Sequence, residues 1–422
     1  MSGDTTKVTV TDVTMQHRLG HTTVTVVAPD GHPLVGTPVE VRQISHDFLF
    51  GNLLFDYIDL VRGTSDDQAR DQAELNDWAG LFNYGTLPFY WRGYEPVQGQ
   101  PSSAALLMAA HRFRDLGITL KGHPLTWHTE CPRWLLGRPL PSVESALRGR
   151  ITREVSQFAG VIDIWDAINE LVIMPVFKAE ENGITPLCRA KGRMAMGRLA
   201  FETAKAANPG VTLLLNDFDL TTAYECLIEG LLEAGVPIDV IGLQTHMHQG
   251  YRGTEAIMDR LDRFARYGLP LHFTEVSLVS GHLMPSDIVD LNDFQVEDWP
   301  STPDGEARQS AEIVDLYKTL LAHPAVQAIT YWGLTDRTAW LGAPIGFLRA
   351  DGSKKPSYDA LLGLIKGAWW VPPTRAVTNA AGQIDVTGFK GVYQVSVVGG
   401  EQQARWQLGA TPELVFNVSG EA

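Results

Sequence analysis

The fold is decided by the stretch IDIWDAINE, residues 162–170. It alternates apolar and polar residues as a strand does, and it ends in the pair Asn169-Glu170. Because burying a charge is costly, a carboxylate at the end of a buried strand is a poor choice for stability. It is well placed for catalysis in a (β/α)8 barrel, whose active sites lie at the C-terminal ends of the strands. The stretch PLHFTE, residues 270–275, has the same form, and two such glutamates facing one cleft would suit a glycosidase.

Outward from these stretches, the pattern alternates between strand-like and helix-like segments. The strands are predicted over residues 48–52, 81–89, 118–127, 162–170, 211–218, 239–247, 269–276 and 325–334. The helices are predicted over residues 68–80, 104–116, 143–158, 189–207, 224–234, 254–267, 305–321 and 357–365. Eight such units predict the α/β class, with a (β/α)8 TIM barrel over residues 46–368. A doubly wound open sheet is the alternative, but no Gly-rich phosphate loop follows the first strand.

Both ends of the chain read as short strands separated by turn residues. They are predicted over residues 8–13, 22–28, 38–43, 384–387, 392–398, 404–408 and 414–418. Neither set buries much apolar surface alone, whereas together they would make a seven-stranded sandwich. We therefore expect residues 1–45 and 369–422 to form one accessory β-sandwich. Two separate β-appendages are the alternative.

Composition narrows the class of partner. The formal net charge of -15 at pH 7 argues against nucleic acid, whose phosphates require Lys and Arg surfaces. No apolar run is long enough to cross a membrane, so no membrane partner is expected. The N-terminus lacks a signal-peptide pattern, which favours a cytoplasmic location, although a removed secretory signal is an alternative. The oligomeric state is left open.

Three scattered cysteines, Cys131, Cys188 and Cys226, show no ligand-like spacing. They predict neither a disulfide framework nor a zinc site. Cys131 and Cys226 are expected in the core. The sequence predicts no cofactor.

Polar and aromatic side chains gather where the predicted strands end. They are His123, Trp127, His128, Asn169, Glu170, Asn216, Asp217, Gln244, His246, His248, Glu275, Trp332, Asp336 and Trp340. Polar groups of this kind read sugar hydroxyls and flat rings stack on sugar faces, so a carbohydrate is the expected substrate.

Six motifs in order then give a specific resemblance. They are GHPLTWH at 122–128, WDAINE at 165–170, LND at 215–217, IGLQTH at 241–246, FTE at 273–275 and WGLTD at 332–336, the last followed by Trp340. Together they span roughly residues 48–365, and in this order they resemble glycoside hydrolase family 10, the endo-β-1,4-xylanase family.

The resemblance implies that Glu170 is the acid/base and Glu275 the nucleophile of a retaining double displacement. That mechanism expects the two carboxyl groups about 5–5.5 Å apart. Asn169 would bind the 2-hydroxyl of the sugar, and Gln244 and His246 would orient Glu275. The subsite on the non-reducing side would be walled by His123, Trp127, Trp332 and Trp340.

The departures from the family pattern concern the sugar rather than the chemistry. The family's Glu, Asn and Lys, which hold the second sugar on the non-reducing side, fall here on Thr86, Leu87 and Tyr90. Its Gln after Trp-His-Ser falls on Glu130, and the acidic partner of its nucleophile-binding His becomes Ser277. A site that loses polar groups loses the substrate they bind. We therefore expect a divergent member with an altered glycone subsite, in which Tyr90 and Glu130 also line the substrate site.

Three other functions stay open. An ordinary endo-1,4-β-xylanase would need a different but adequate xylose site, and a non-catalytic carbohydrate-binding protein would need no nucleophile. The pair His246 and His248 also suits a metal-dependent hydrolase of the amidohydrolase type, but such a pair belongs on the first strand and here lies on the sixth. The long insert over residues 277–304, with Trp299, is a candidate lid on the cleft.

Overall fold

A computed structural model describes residues 5–9 and 13–418 of the chain. The chain divides into two compact units. One joins Met1–Leu49 to Ser357–Ala422, and the other is Phe50–Pro356.

The strands are numbered along the chain. Before the barrel come β1 (Lys7–Thr9), β2 (Leu19–Val27) and β3 (Pro38–His46). The barrel strands are β4 (Leu49–Leu53), β5 (Tyr84–Pro88), β6 (Thr119–His123), β7 (Ile164–Asn169), β8 (Thr212–Asp217), β9 (Val240–Met247), β10 (Leu271–Leu278) and β11 (Val326–Tyr331). After the barrel come β12 (Thr374–Val377), β13 (Gln383–Phe389), β14 (Gly391–Val397), β15 (Gln403–Leu408) and β16 (Glu413–Asn417).

The barrel is closed, with the strand order β10-β11-β4-β5-β6-β7-β8-β9 in the described part of the chain. Neighbouring strands are parallel, as in the pairs β4–β5 and β10–β11, so the (β/α)8 prediction is confirmed. Some strands end earlier than predicted. The third ends at His123 because Pro124, which follows, has no N–H to continue the ladder.

The helices are also numbered along the chain. They are α1 (Ile58–Arg62), α2 (Gln68–Leu81), α3 (Trp91–Tyr94), α4 (Ser103–Asp115), α5 (Leu140–Gln157), α6 (Ile184–Lys191), α7 (Arg193–Ala207), α8 (Thr222–Glu233), α9 (Thr254–Ala265), α10 (Pro303–Ala322) and α11 (Pro356–Gly363). The helix predicted over 189–207 is two helices, because Gly192 between them has φ of 83° and interrupts the first. None of the described helices is both long and apolar enough to cross a membrane.

The barrel interior holds a buried ion pair between β6 and β7. On the opposite face of β7 the ring of Trp165 is fully buried and packs on Phe89, and a Cβ added to Gly122 of β6 would lie 2.3 Å from it. Lys121 Nζ lies 2.8 Å from Asp166 Oδ2, and both side chains are fully buried. A buried charge needs a partner, and Asp166 has one in Lys121.

The terminal unit consists of two four-stranded sheets, with the orders β1-β13-β2-β16 and β12-β3-β14-β15. Both sheets mix strands from the two ends of the chain, since β2 pairs with β13 and β16, and β3 pairs with β12 and β14. A shared core lies between them, including Val24, Val41, Val395 and Trp406. The predicted accessory β-sandwich is therefore confirmed.

Two details of this unit differ from the sequence prediction. The described residues form eight strands rather than seven, because β12 was not predicted. The strand predicted over residues 8–13 is β1 over residues 7–9, and residues 10–12 lie outside the described residues.

The cysteines are not paired in the described structure. Cys131 and Cys188 are buried, but Cys226 on α8 is exposed, so the prediction of a core position for Cys226 was wrong. Its helix turns other side chains, such as Leu227 and Leu231, towards the barrel.

Candidate active site

Four consecutive barrel strands carry the two glutamates and three amides. Glu170 follows β7 directly, and Glu275 lies within β10. Asn169 is the last residue of β7, Asn216 lies in β8 and Gln244 in β9. Because β7, β8, β9 and β10 are neighbours in the barrel, these side chains meet at the C-terminal ends of the strands.

A chain of amide hydrogen bonds joins the two carboxylates. Asn216 Nδ2 donates to Glu275 Oε1 at 3.0 Å and to Asn169 Oδ1 at 2.8 Å. Asn169 Nδ2 then donates to Glu170 Oε1 at 3.1 Å. The carboxylates therefore face one another across two amide groups, and both point into the same site.

Gln244 lies beside Glu170, whereas the sequence prediction had it orienting Glu275. Its Nε2 lies 2.9 Å from Asn169 Oδ1 and 3.5 Å from Glu170 Oε1. Asn216, to which the sequence analysis gave no role, contacts Glu275 instead. Asn216 is itself fixed by the Thr274 hydroxyl, which donates to its Oδ1 at 2.5 Å. The sequence showed Asn216 at a strand end, but not that its amide would bridge β7 and β10.

Glu170 is largely buried, and three side chains donate towards its carboxyl group. Its side chain is 15% exposed, Trp127 Nε1 donates to its Oε2 at 2.8 Å, and His128 Nε2 lies 3.8 Å from the same oxygen. Burial raises the pKa of Glu170 to about 8; the Trp127 hydrogen bond opposes this rise, and the charge of Glu275 adds to it. A carboxyl group with this pKa is protonated at neutral pH and can act as an acid.

The backbone of Glu170 is also unusual. Its φ of 56° lies in the left-handed region, which residues other than glycine rarely adopt. Its N–H donates to the carbonyl of Asn216 at 2.8 Å, and its own carbonyl accepts from the N–H of Met174 at 3.2 Å. These bonds hold the strained residue at the exit of β7.

The carboxylate of Glu275 contacts a histidine as well as Asn216. His246 Nε2 lies 3.1 Å from its Oε2, and the other ring nitrogen of His246 lies 3.0 Å from the Ser277 hydroxyl. With Nε2–H directed at the carboxylate, Nδ1 accepts a hydrogen bond from Ser277. Ser277 thus supplies the partner of the second ring nitrogen.

His123 connects Glu275 to the barrel interior. Its Nε2 lies 4.0 Å from Glu275 Oε1, and its Nδ1 lies 2.6 Å from Asp166 Oδ2. Burial opposes ionisation of Asp166, but Lys121 and His123 together hold its pKa below the usual value. An ionised Asp166 accepts the Nδ1–H, which fixes the tautomer and orientation of His123.

Aromatic rings line the other half of the barrel mouth. We call Trp127, Tyr90, Phe55 and Trp332 the aromatic arc. The ring centroids of successive members are 5.6 Å apart for Trp127 and Tyr90, 5.7 Å for Tyr90 and Phe55, and 6.2 Å for Phe55 and Trp332. His123 contacts Trp127, Tyr90 and Trp332, with centroids 6.2, 5.8 and 5.3 Å away.

Phe55 was not predicted as a site residue. It begins the short helical turn Phe55–Tyr57 after β4, where the sequence showed no polar motif. Trp340, which was predicted, packs on His246 and His248, with centroids 4.9 and 5.4 Å away.

The positions that depart from the family pattern have separate environments. The side chains of Thr86 and Leu87 are fully buried, whereas Tyr90 is half-buried in the aromatic arc. Glu130 is 40% exposed and lies 3.5 Å from Arg92, and its φ is 52°. No acidic or amide group is therefore found at 86, 87 or 90, and the carboxylate of Glu130 faces a guanidinium.

The insert after β10 folds around its tryptophan. Trp299 is buried with Val279, Met284, Ala343 and Ile345. Its ring centroid lies 6.0 Å from that of His248, and its Nε1–H donates to the carbonyl of His282 at 2.8 Å. The insert thus packs beside the end of β9, next to the ring that contacts Trp340.

The described residues contain no group of three or more His, Cys, Asp or Glu side chains arranged to hold a metal. His246 is bonded to Glu275 and Ser277. Burial lowers the pKa of His248 to about 3, so that ring is neutral. His248 packs between Trp299 and Trp340.

Comparisons with known proteins agree with the geometry. The sequence model described as Glycosyl hydrolase family 10 matches residues 91–363. Endo-1,4-beta-xylanase B of Thermotoga neapolitana is 30% identical over 269 residues, 59% of this chain and 70% of that protein. Endo-1,4-beta-xylanase B of Neocallimastix patriciarum is 25% identical over 271 residues, and the aligned part is 61% of this chain but 28% of that protein.

Solved structures show the same fold. Xylanase 10B from Thermotoga petrophila RKU-1, in complex with xylobiose, superposes with a TM-score of 0.62 at 22% identity, covering 75% of this chain and 94% of that one. A xylanase from Cellvibrio japonicus, a thermostable mutant, gives a TM-score of 0.61 at 24% identity, covering 76% of this chain and 98% of that one.

Proposed function

The chain belongs to glycosyl hydrolase family 10, and from this membership we propose that it is a retaining β-glycosidase whose glycone site differs from that of a xylanase. The observation that carries the proposal is the amide bridge from Glu170 through Asn169 and Asn216 to Glu275. It directs two carboxyl groups with unlike surroundings at one sugar, which is the arrangement that a double displacement uses.

In the first step Glu275 attacks the anomeric carbon and a bond forms between its carboxylate oxygen and that carbon. The bond from the anomeric carbon to the leaving oxygen breaks, and the proton of Glu170 passes to that oxygen. The hydrogen bonds from Asn216 and His246 orient the carboxylate of Glu275 for this attack. The product is a glycosyl ester of Glu275 and a free alcohol.

In the second step Glu170 takes a proton from water, and the water oxygen attacks the anomeric carbon. The ester bond breaks, Glu275 leaves as a carboxylate, and Glu170 is again protonated. Because esterified Glu275 carries no charge, one of the influences that raise the pKa of Glu170 is absent in the intermediate. A lower pKa at this stage suits Glu170 for its second role as a base.

Asn169 has one N–H left for the substrate. Its Oδ1 accepts from both Asn216 and Gln244, and one N–H donates to Glu170. The second N–H is then available to a sugar hydroxyl near the reacting carbon. The partly exposed ring of Trp127, which also donates to Glu170, offers a flat surface for the sugar.

The altered specificity rests on positions 86, 87 and 90. Two of these side chains are fully buried and the third is an aromatic ring, so none offers a charge or an amide to a second sugar. We expect a β-linked sugar other than a xylan chain, such as a plant glycoside. The relatives bearing the name endo-1,4-beta-xylanase favour the second candidate, an ordinary xylanase.

A panel of aryl β-glycosides tests the proposal, with xylan measured beside it and the first product followed by NMR. We expect hydrolysis of at least one aryl glycoside, a first product with retained β configuration, and weak turnover of xylan. An inverted first product would overturn the double displacement, and xylan turnover equal to that of an ordinary xylanase would overturn the altered specificity. No activity on any member of the panel would favour a carbohydrate-binding protein instead.

A further inference from the structure

We infer that the glycone site accepts one sugar ring only, closed by Phe55 and Tyr90, so that the enzyme removes single sugars from non-reducing ends. This inference rests on the proposed function and names the substrate class of the same site. It goes further by assigning a role to Phe55, a residue outside the matched family region, which begins at residue 91.

The aromatic arc follows a continuous path around the barrel mouth. From Glu275 on β10 the strand order runs through β11, β4, β5 and β6 to β7, which Glu170 follows. The arc follows the same path, since Trp332 follows β11, Phe55 follows β4, Tyr90 follows β5 and Trp127 follows β6. At its ends, Trp127 donates to Glu170, and Trp332 packs on His246, the partner of Glu275, with centroids 6.1 Å apart. The arc therefore runs from one carboxylate to the other.

The rings of the arc are too closely spaced to hold a sugar between them. Carbon atoms in contact are about 3.5–4.0 Å apart, so a sugar ring held between two aromatic rings needs centroids about 7–8 Å apart. The successive centroids of the arc are 5.6, 5.7 and 6.2 Å apart. No sugar fits between neighbouring members, so at the level of the rings the arc is closed to a glycan chain.

The turn that carries Phe55 is held in place on two sides. The Thr338 hydroxyl donates to Asp56 Oδ2 at 2.6 Å and ties the turn after β4 to the loop after β11. On the other side, the N–H of Leu54 donates to the carbonyl of Thr86 at 3.0 Å. Phe55 lies between these two anchors, so its ring is kept against Tyr90 and Trp332.

The surface on the side of Phe55 and Tyr90 offers few hydrogen-bonding groups to a second sugar. A longer glycone would need donors and acceptors beyond the first ring, because each sugar hydroxyl removed from water needs a replacement partner. At that side the chain offers the apolar ring of Phe55 and the single hydroxyl of Tyr90, and the nearby Thr86 and Leu87 are fully buried. The amides that could bind hydroxyls, Asn169 among them, lie beside the carboxylates and serve the first sugar.

The experiment compares matched substrates on the unmodified full chain. kcat/KM is measured for the 4-nitrophenyl β-glycoside of the sugar that gives the highest rate and for the 4-nitrophenyl β-1,4-linked disaccharide of that sugar, with release of nitrophenol as the readout. We expect at least a tenfold preference for the monosaccharide glycoside. The early products from the matching tetrasaccharide should be the monosaccharide and the trisaccharide. A preference for the disaccharide glycoside, or a disaccharide as the first product, would overturn the inference.

Variants test the assignment of the closing residue. Phe55→Ala should raise kcat/KM for the disaccharide glycoside at least tenfold relative to that for the monosaccharide glycoside. The matched control is Phe218→Ala, since Phe218 follows β8 on the opposite half of the barrel and is 47% exposed. The control should leave the ratio within twofold. An unchanged ratio in folded Phe55→Ala would overturn the role of Phe55, and if that variant does not fold, the product analysis on the unmodified chain still decides the inference.

Two outcomes distinguish failure of the proposed function from failure of the one-sugar site. If no aryl β-glycoside is hydrolysed, the proposed function fails. If such glycosides are hydrolysed with retention but the disaccharide glycoside is preferred, the proposed function stands and the one-sugar site fails.

Discussion

Trp127 Nε1 lies 2.8 Å from Glu170 Oε2 and donates a hydrogen bond to it. The side chain whose ring would stack on the sugar therefore also binds the candidate acid/base. The hydrogen bond favours the charged form of Glu170, against the burial that favours the neutral one. A substrate that packs on Trp127 would thus touch the residue that tunes the proton donor. We therefore expect binding of the sugar to affect the protonation of Glu170 through Trp127.

The pH profile should reflect this balance. Glu170 is competent as an acid when protonated, and since its pKa is raised to about 8, kcat/KM should stay level through neutral pH and fall above about pH 8. Glu275→Gln removes a like charge, so it should lower the pKa of Glu170, as read by 13C NMR of the labelled carboxyl carbon. A pKa that is unchanged or higher in that variant would contradict the assigned cause.

Removal of either glutamate should separate the two roles. Glu170→Ala and Glu275→Ala should each reduce kcat by about 10³-fold or more. Azide should partly restore Glu170→Ala on substrates with a good leaving group, because departure then needs no proton and azide enters the space of the missing carboxyl. Glu144→Ala on α5, where Glu144 pairs with Lys191 and Arg148, is the control and should keep full activity. Equal rescue of Glu275→Ala with retained configuration would contradict the assignment.

Ser277 should act on Glu275 through His246. Ser277→Ala removes the hydroxyl 3.0 Å from His246 Nδ1, and losing one such hydrogen bond costs about 1 kcal/mol, or roughly a fivefold drop in kcat/KM. Ser277→Thr keeps a hydroxyl and should restore most of the rate. If alanine and threonine behave alike while both proteins unfold at the same temperature as the parent, Ser277 has no positioning role.

Two glycine substitutions should have opposite effects on stability. A Cβ on Gly122 would lie 2.3 Å from the buried ring of Trp165, so Gly122→Ala should lower the free energy of unfolding by about 1–3 kcal/mol. Gly149 lies in the interior of α5, and beyond the backbone of its own helix nothing lies within 4 Å of an added Cβ, so Gly149→Ala should raise the free energy of unfolding by about 0.5–1 kcal/mol. Urea unfolding of both variants gives the comparison. A Gly122 variant as stable as the parent would show that Trp165 can move.

The sequence was most informative where one residue position carries two signals. The strand period of residues 162–170 and the carboxylate at its end together predicted both the barrel and Glu170. Glu275 followed from the same form. Helix boundaries were harder. The pattern over residues 189–207 hid the break at Gly192, because the short α6 shares the apolar spacing of α7.

The unpredicted parts of the site depend on contacts between distant segments. Phe55 gives no signal by itself, since a phenylalanine in a turn is ordinary. It joins the arc only because barrel closure brings β4 beside β11, and with it Trp332. Asn216 was visible at a strand end, but its contact with Glu275 spans two strands of the barrel. The sequence predicted that His246 lacks an acidic partner, but it gave no sign that the Ser277 hydroxyl would contact the ring.

The left-handed backbone of Glu170 has a consequence for how this molecule can evolve. A φ of 56° costs a residue with a side chain about 1–2 kcal/mol, and glycine avoids that cost. Glu170→Gly should therefore unfold at a higher temperature than Glu170→Ala, although both lack the carboxyl group, and equal melting points would contradict this. A single substitution, Glu170→Gly, would thus relieve the backbone strain and remove the proposed acid/base carboxyl together. Selection for heat resistance alone would not exclude that inactive form, so stabilised variants of this enzyme must also be screened on turnover.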